Sequence, residues 1–210
     1  MPSLPAHPDA IVQSEETVWN GRFPLQVVRF RHRRFDGTMS GPRTWEMWRR
    51  GPAAAMLPYD PAADAVVLIE QFRLPALAAG LDPVMVELPA GLCDPGEAPA
   101  DAIARELREE MGLTATRTER IGQFLLTPGG SDECCTLFAG CVTAPSADAG
   151  GIAGTAGLAA EQEDIRLRVH PAASAIDAAL AGAYANSVTA IALLWFAAMR
   201  DRLRREWSTA

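Results

Sequence analysis

Lysine is missing from this chain. All 19 basic residues among the 210 are arginines, set against 26 acidic ones, for a net charge of -7. That excludes a Schiff-base amine and a phosphate-loop lysine. The acidic balance argues against tracking along nucleic acid, which needs a basic field. Histidine occurs three times, and four cysteines (Cys93, Cys134, Cys135, Cys141) show no CxxC spacing and no neighbouring histidine. A disulfide framework and a zinc site are therefore poorly supported. No apolar run approaches about 18 residues, so no membrane-spanning helix is expected. The opening MPSLPAHPDAIVQSEETV has neither a basic nor an apolar leader region, so no signal peptide is expected, and a cytoplasmic protein is the simplest reading.

Ordinary proportions of hydrophobic (49%) and charged (21%) residues indicate a globular chain. The length suits one domain with an appendage. The first dozen residues read as loose. Pro24 to Phe35 and Thr44 to Arg50 read as two strands joined through the turn Asp36-Gly37. Together they form an arginine-rich antiparallel ribbon that is marginal by itself and must pack on something. This divides the chain into a ribbon over 1–50 and a main domain over 51–210.

In the main domain, AAAMLPY and Ala65 to Leu74 read as buried strands, followed by a short strand over Val84 to Leu88. Further strands are expected over Glu119 to Leu126, Thr136 to Val142 and Ile165 to His170. Helices are expected over Pro99 to Met111, Ala172 to Ala183 and Ser187 to Trp207, the last capped by Asn186. Pro145 to Asp164 lacks periodicity and reads as a long loop. The class is α+β.

The strongest chemical signal is GLCDPGEAPADAIARELREEMGL, Gly91 to Leu113, with six acids against two arginines. On a helix, Glu106, Glu109 and Glu110 share one face, beside an apolar stripe of Ile103, Leu107 and Met111. By composition alone such a run is more often a solvated acidic face. Clustered carboxylates are also what hard divalent cations require.

The spacing Gly91, Glu97, then Arg105-Glu-Leu-Arg-Glu-Glu-Met-Gly-Leu113 matches the Nudix box at each defined position. Ile69-Glu-Gln-Phe-Arg73, Glu87-Leu-Pro-Ala-Gly91 and Thr127-Pro-Gly-Gly-Ser-Asp-Glu133 resemble the ADP-ribose diphosphatase branch of the Nudix hydrolases. Pro128 stands 15 residues past the box, about where that branch carries a diagnostic proline. Arg29 to Ser40 resembles the N-terminal ribbon of bacterial members. The resemblance implies a Nudix fold, a mixed sheet between helices in an α/β/α arrangement. It implies Mg²⁺, with Mn²⁺ as a substitute, held by Glu106, Glu110, Glu109, the Ala90 carbonyl and Glu97, with Arg105 orienting the glutamates. It implies substrate contacts from Arg73, Glu133, Gly129, Gly130 and Leu92, with Arg43 or Arg50 serving the ribbon side. Trp19, Phe23, Trp45 and Trp48 are candidates to stack the adenine. The general base would be Glu161, with Glu163 second.

The implied reaction is hydrolysis of ADP-ribose to AMP and ribose 5-phosphate in a homodimer that exchanges the ribbon. The alternatives are a Nudix hydrolase of another sugar nucleotide, such as GDP-mannose or a UDP-sugar, and a sensing module that binds ADP-ribose without turnover.

Overall fold

The computed structural model describes residues 3–157 and 162–208. The chain divides into two units, Met1–Gly51 with Leu125–Cys134, and Pro52–Phe124 with Cys135–Ala210.

The first unit carries a three-stranded antiparallel sheet of β1 (Ala10–Trp19), β2 (Leu25–His32) and β3 (Arg43–Trp48), in that spatial order. The two-stranded ribbon expected from the sequence thus has a third member. β1 has almost no apolar alternation and is exposed along nearly its whole length. It owes its order to its ladder with β2, which runs from Ala10 opposite His32 to Trp19 opposite Leu25. The Asp36-Gly37 turn forms as read. The Gly37 amide donates to Arg34 at 3.0 Å, and Asp36 Oδ1 accepts from the Thr38 amide at 2.9 Å.

The second unit holds β4 (Pro52–Asp60), β5 (Ala65–Phe72), α1 (Leu74–Ala78), β6 (Val84–Glu87), β7 (Ala90–Leu92), α2 (Pro99–Met111), β8 (Arg117–Leu125), β9 (Cys134–Cys141), β10 (Ile152–Ala156), β11 (Ile165–Pro171), α3 (Ala172–Leu180) and α4 (Ser187–Trp207). Among the described residues the sheet order is β10-β11-β5-β4-β9-β8, with β6 beside β5 and β7 beside β4. β5 runs antiparallel to β4, β6 and β11. The Cys134 amide donates to Gly51 and the Val142 amide to Tyr59, so both partners advance in step and β9 runs parallel to β4. The sheet is therefore mixed.

Side-chain alternation along the central strands buries both faces, as a sheet covered by helices on each side requires. Ala54 and Met56 of β4 and Val67 and Ile69 of β5 pack with Ile103, Leu107 and Met111 of α2. On the other face the Tyr59 ring meets Phe196 of α4, with centroids 4.7 Å apart. Burying each of the three large apolar side chains of α2 contributes about 1.5–3 kcal/mol.

Part of the expected 145–164 loop is the edge strand β10. Its Ala-Gly sequence shows no strand signal, and pairing with β11 (Ile152 opposite Arg168) supplies the order. α1 and β7 were likewise invisible as periodic patterns, being only five and three residues long. No helix among the described residues is long and apolar enough to cross a membrane.

Candidate active site

The site is built on α2 and the strand that precedes it. Pro99 opens the helix, where its missing N–H costs nothing. Gly112 closes it at φ 65°. The Gly112 amide returns to the Arg108 carbonyl at 2.9 Å and Leu113 to Leu107 at 3.2 Å, a paired cap that only a left-handed residue permits. With both ends fixed and the apolar stripe buried, the remaining face carries the carboxylates in one orientation.

Arg105 is the hub of that face. Its Nε and Nη2 donate to the two carboxylate oxygens of Glu97 at 3.2 and 3.1 Å. Its Nη1 donates to Glu106 at 2.7 Å and to Glu109 at 3.1 Å. Its Nη2 also donates to the Leu92 carbonyl at 3.3 Å. These contacts raise the arginine's affinity for its proton, foremost through Glu97. Glu97 is held below the usual carboxylate range, again chiefly by Arg105.

Glu106 and Glu110 behave differently. Burial raises the Glu106 carboxyl, and the contact with Arg105 only partly offsets this. Glu110 is 4% exposed. Burial pushes it up to about 8; the Ala90 amide, donating at 3.0 Å, works against the rise, while the charges of Glu106 and Glu163 add to it. The Arg73 charge also reaches Glu110 and lowers it. Glu110 is thus a buried acid in a surplus of negative charge.

Gly91 explains how strand and helix come so close. A Cβ at this position would lie 1.9 Å from Glu106 Oε1 and 2.6 Å from its Cγ. Any side chain there would occupy the space of the Glu106 carboxylate.

Hard oxygen donors, a buried carboxylate without an arginine partner and mutual repulsion between acids suit a divalent cation. Among the described residues no three acid side chains already converge as a metal cage, because Arg105 draws Glu97, Glu106 and Glu109 to itself. Glu163 enters the same electrostatic field, since its charge acts on both Glu106 and Glu110. Glu161 lies outside the described residues.

Arg73 directly follows β5, and its guanidinium donates to Glu87 at 2.9 and 2.7 Å. Sequence reasoning missed Glu87 as its partner. The signal available was Glu87 itself, an acid at the end of an otherwise apolar strand.

The first unit contains the remaining expected residues. Arg50 pairs with Glu133 at 2.5 Å, and its guanidinium stacks over Phe23 and Trp48 at 4.4 and 4.7 Å. These two residues, both expected to contact substrate, are thus also paired with each other. Arg43 lies over Trp45 at 5.3 Å. The Gly129 and Gly130 carbonyls accept from the Trp45 ring nitrogen at 2.9 Å and the Trp48 amide at 2.8 Å. Asp132, unremarked in the sequence, accepts from the amides of Arg50 and Gly51 and from Arg49 Nε. Burial opposes its ionisation, and these donors outweigh that and hold it low. The four cysteines form no disulfide among the described residues, and Cys135 and Cys141 are buried.

The profile of the NUDIX domain matches residues 49–186. The chain is 39% identical to the ADP-ribose pyrophosphatase of Escherichia coli (strain K12) over 200 residues, 95% of this chain and 93% of that one. It is 35% identical to the ADP-ribose pyrophosphatase of Haemophilus influenzae, over 95% and 91% of the two chains. It is 34% identical to a GDP-mannose pyrophosphatase of Yersinia pestis over 118 residues, 56% of this chain and 59% of that one. A crystal structure of an ADP compounds hydrolase superposes with a TM-score of 0.66 over 97% of this chain and 98% of the other, at 20% identity, a likeness of fold. With its box built on α2 and the domain match spanning most of its length, this chain belongs to the Nudix family.

Proposed function

We propose that the protein hydrolyses the diphosphate of ADP-ribose, water adding to one phosphorus and the products being AMP and ribose 5-phosphate. The observation that carries this is the carboxylate face of α2, with Glu110 buried and Glu106 seated against Gly91, in a chain whose likeness to ADP-ribose pyrophosphatases runs nearly end to end. Likeness to a GDP-mannose pyrophosphatase extends over little more than half the chain, which favours the first substrate.

Glu106, Glu110 and the Ala90 carbonyl would hold Mg²⁺, with Glu109 and Glu97 in support and Mn²⁺ as a substitute. When bound there, such a cation neutralises phosphate charge and acidifies a water. Arg105 fixes the orientation of Glu97, Glu106 and Glu109 through the bonds described above. Arg73, 40% exposed at its side chain, offers guanidinium protons to phosphate oxygens while Glu87 holds it. Glu161, with Glu163 second, accepts the proton of the attacking water. Arg50, Arg43, Glu133, Gly129, Gly130 and Leu92 are assigned to the substrate's nucleotide and sugar groups, in a homodimer. Cysteines outside any disulfide fit a reducing, cytoplasmic setting.

A panel of ADP-ribose, GDP-mannose and a UDP-sugar, assayed with Mg²⁺ and with EDTA, tests the reading. ADP-ribose should give the highest kcat/KM, abolished by EDTA. A clear preference for GDP-mannose, or binding of ADP-ribose without turnover, would overturn it. Light scattering tests the dimer.

A further inference from the structure

We infer that Asn186 is a positioning residue for Arg73, acting through Glu87. The inference rests on the reading of Arg73 as a phosphate contact. The Asn186 carboxamide does two things at once. Its Oδ1 accepts from the Thr189 amide at 3.0 Å and from the Thr189 hydroxyl at 3.2 Å, capping α4. Its Nδ2 donates to Glu87 Oε1 at 2.9 Å. The other Glu87 oxygen, Oε2, receives both Nε and Nη2 of Arg73. Thr189 is fully buried, and its hydroxyl in turn accepts from the Leu88 amide at 3.1 Å. The N-terminus of α4 is thereby tied to the strand end that carries Glu87.

Each link restricts Arg73. Its backbone is already pinned, since its amide donates to the Pro83 carbonyl at 2.7 Å and its own carbonyl accepts from Ala76 at 3.0 Å. Only the side-chain torsions remain, and they are set by the carboxylate plane of Glu87. Glu87 is 5% exposed, so water cannot replace a lost donor. With Asn186 in place, both Glu87 oxygens are engaged and the carboxylate has one orientation. Without the Nδ2 donor the carboxylate is free to rotate and draw the guanidinium with it. The guanidinium charge is felt at Glu110, so its placement bears on the carboxylate cluster itself.

Capping and positioning can be separated. Serine and aspartate both cap helices well but lack the amide donor. Asn186→Ser should therefore melt within a few degrees of the parent, while Asn186→Ala loses cap and donor together. For Asn186→Ser, KM for ADP-ribose should rise about tenfold with kcat per folded enzyme within about twofold, because a ground-state phosphate grip has been loosened. Asn186→Asp, which sets a second carboxylate against Glu87, should raise KM further. A purely structural role would lower Tm and the active fraction and leave KM alone.

The Nε–Hε resonance of Arg73, assigned by its loss in Arg73→Ala, gives an answer independent of turnover. It should shift and broaden in Asn186→Ser. An unmoved resonance, or an unchanged KM in a well-folded Asn186→Ser enzyme, would overturn the inference. If the parent fails to hydrolyse ADP-ribose while the resonance still moves, the substrate assignment falls and the coupling of Asn186 to Arg73 stands.

Discussion

The Glu106 carboxylate fills the space that a side chain at Gly91 would take. The missing Cβ of Gly91 would fall 1.9 Å from Glu106 Oε1 and 2.1 Å from its Cδ. The clashing group is the end of a flexible side chain, so the fold can yield by swinging Glu106 away. In Gly91→Ala the cost should accordingly fall on function. We expect a Tm within a few degrees of the parent and a loss of kcat/KM of about 10- to 100-fold, the range for displaced support around a metal ligand. Differential scanning fluorimetry and initial rates across Mg²⁺ concentrations check this. Full activity at all Mg²⁺ levels would show that the close approach has no part in the site.

The raised Glu110 carboxyl makes stability depend on pH in a definite direction. Its folded value of about 8 exceeds the ordinary 4.5, so between these the folded protein binds more protons than the unfolded chain. The contribution is fully present below the ordinary value and is lost as pH rises through the folded one. Burial moves Glu106 the same way. With EDTA present, this pair of acids should lower Tm as pH goes from about 5.5 to 8. Mg²⁺ should restore it most at the upper end, where the deprotonated acids need neutralising. At pH 7 Mg²⁺ binding should release protons, visible in calorimetry as a heat that changes with the ionisation enthalpy of the buffer. A Tm that climbs over this range in EDTA would contradict the assignment.

Asp64 ties the β4–β5 turn to the last helix. It sits at φ 52°, accepts from the Tyr59 hydroxyl at 2.9 Å, and pairs with Arg200 and with Arg204. Burial works to raise it, but the Arg200 hydrogen bond is the larger influence and holds the carboxyl low. Asparagine tolerates this backbone conformation, so Asp64→Asn isolates the charge. It should cost about 1.5–3 kcal/mol, the usual worth of hydrogen bonds to a charged group, with kcat unchanged. Chemical denaturation measures the first and a rate assay the second. A loss of kcat in fully folded Asp64→Asn would link this corner of the fold to the chemistry.

What was legible in the sequence was what local chemistry decides. α2 begins and ends where proline and glycine place it, and α4 begins where asparagine caps it. The acidic face of α2 and its apolar stripe follow from the helical repeat. β1 and β10 were not legible, because neither carries an apolar alternation and each is ordered by a partner strand. The partners of individual arginines were also hidden. Arg73 and Glu87 are 14 residues apart, and Arg50 and Glu133 are 83 apart. Only the folded register reveals that these charges satisfy each other, and that Asn186 serves Glu87 as well as its own helix.

The general base can be assigned by separating field from proton transfer. Glu163 acts electrostatically on Glu106 and Glu110, raising both. Removing its charge in Glu163→Gln should lower the Glu110 carboxyl and with it the pH above which Mg²⁺ binds without displacing a proton. That moves the acidic limb of the kcat/KM profile downward. Glu161→Gln should instead remove the proton acceptor, lowering kcat by about 100- to 10,000-fold. Tm should stay close to that of the parent in both variants. The pair of profiles, measured from pH 5.5 to pH 9, distinguishes the two roles, the limits being set on either side of the Glu110 value of about 8. If Glu163→Gln shows the large loss of kcat and Glu161→Gln only the shifted limb, the two assignments exchange places.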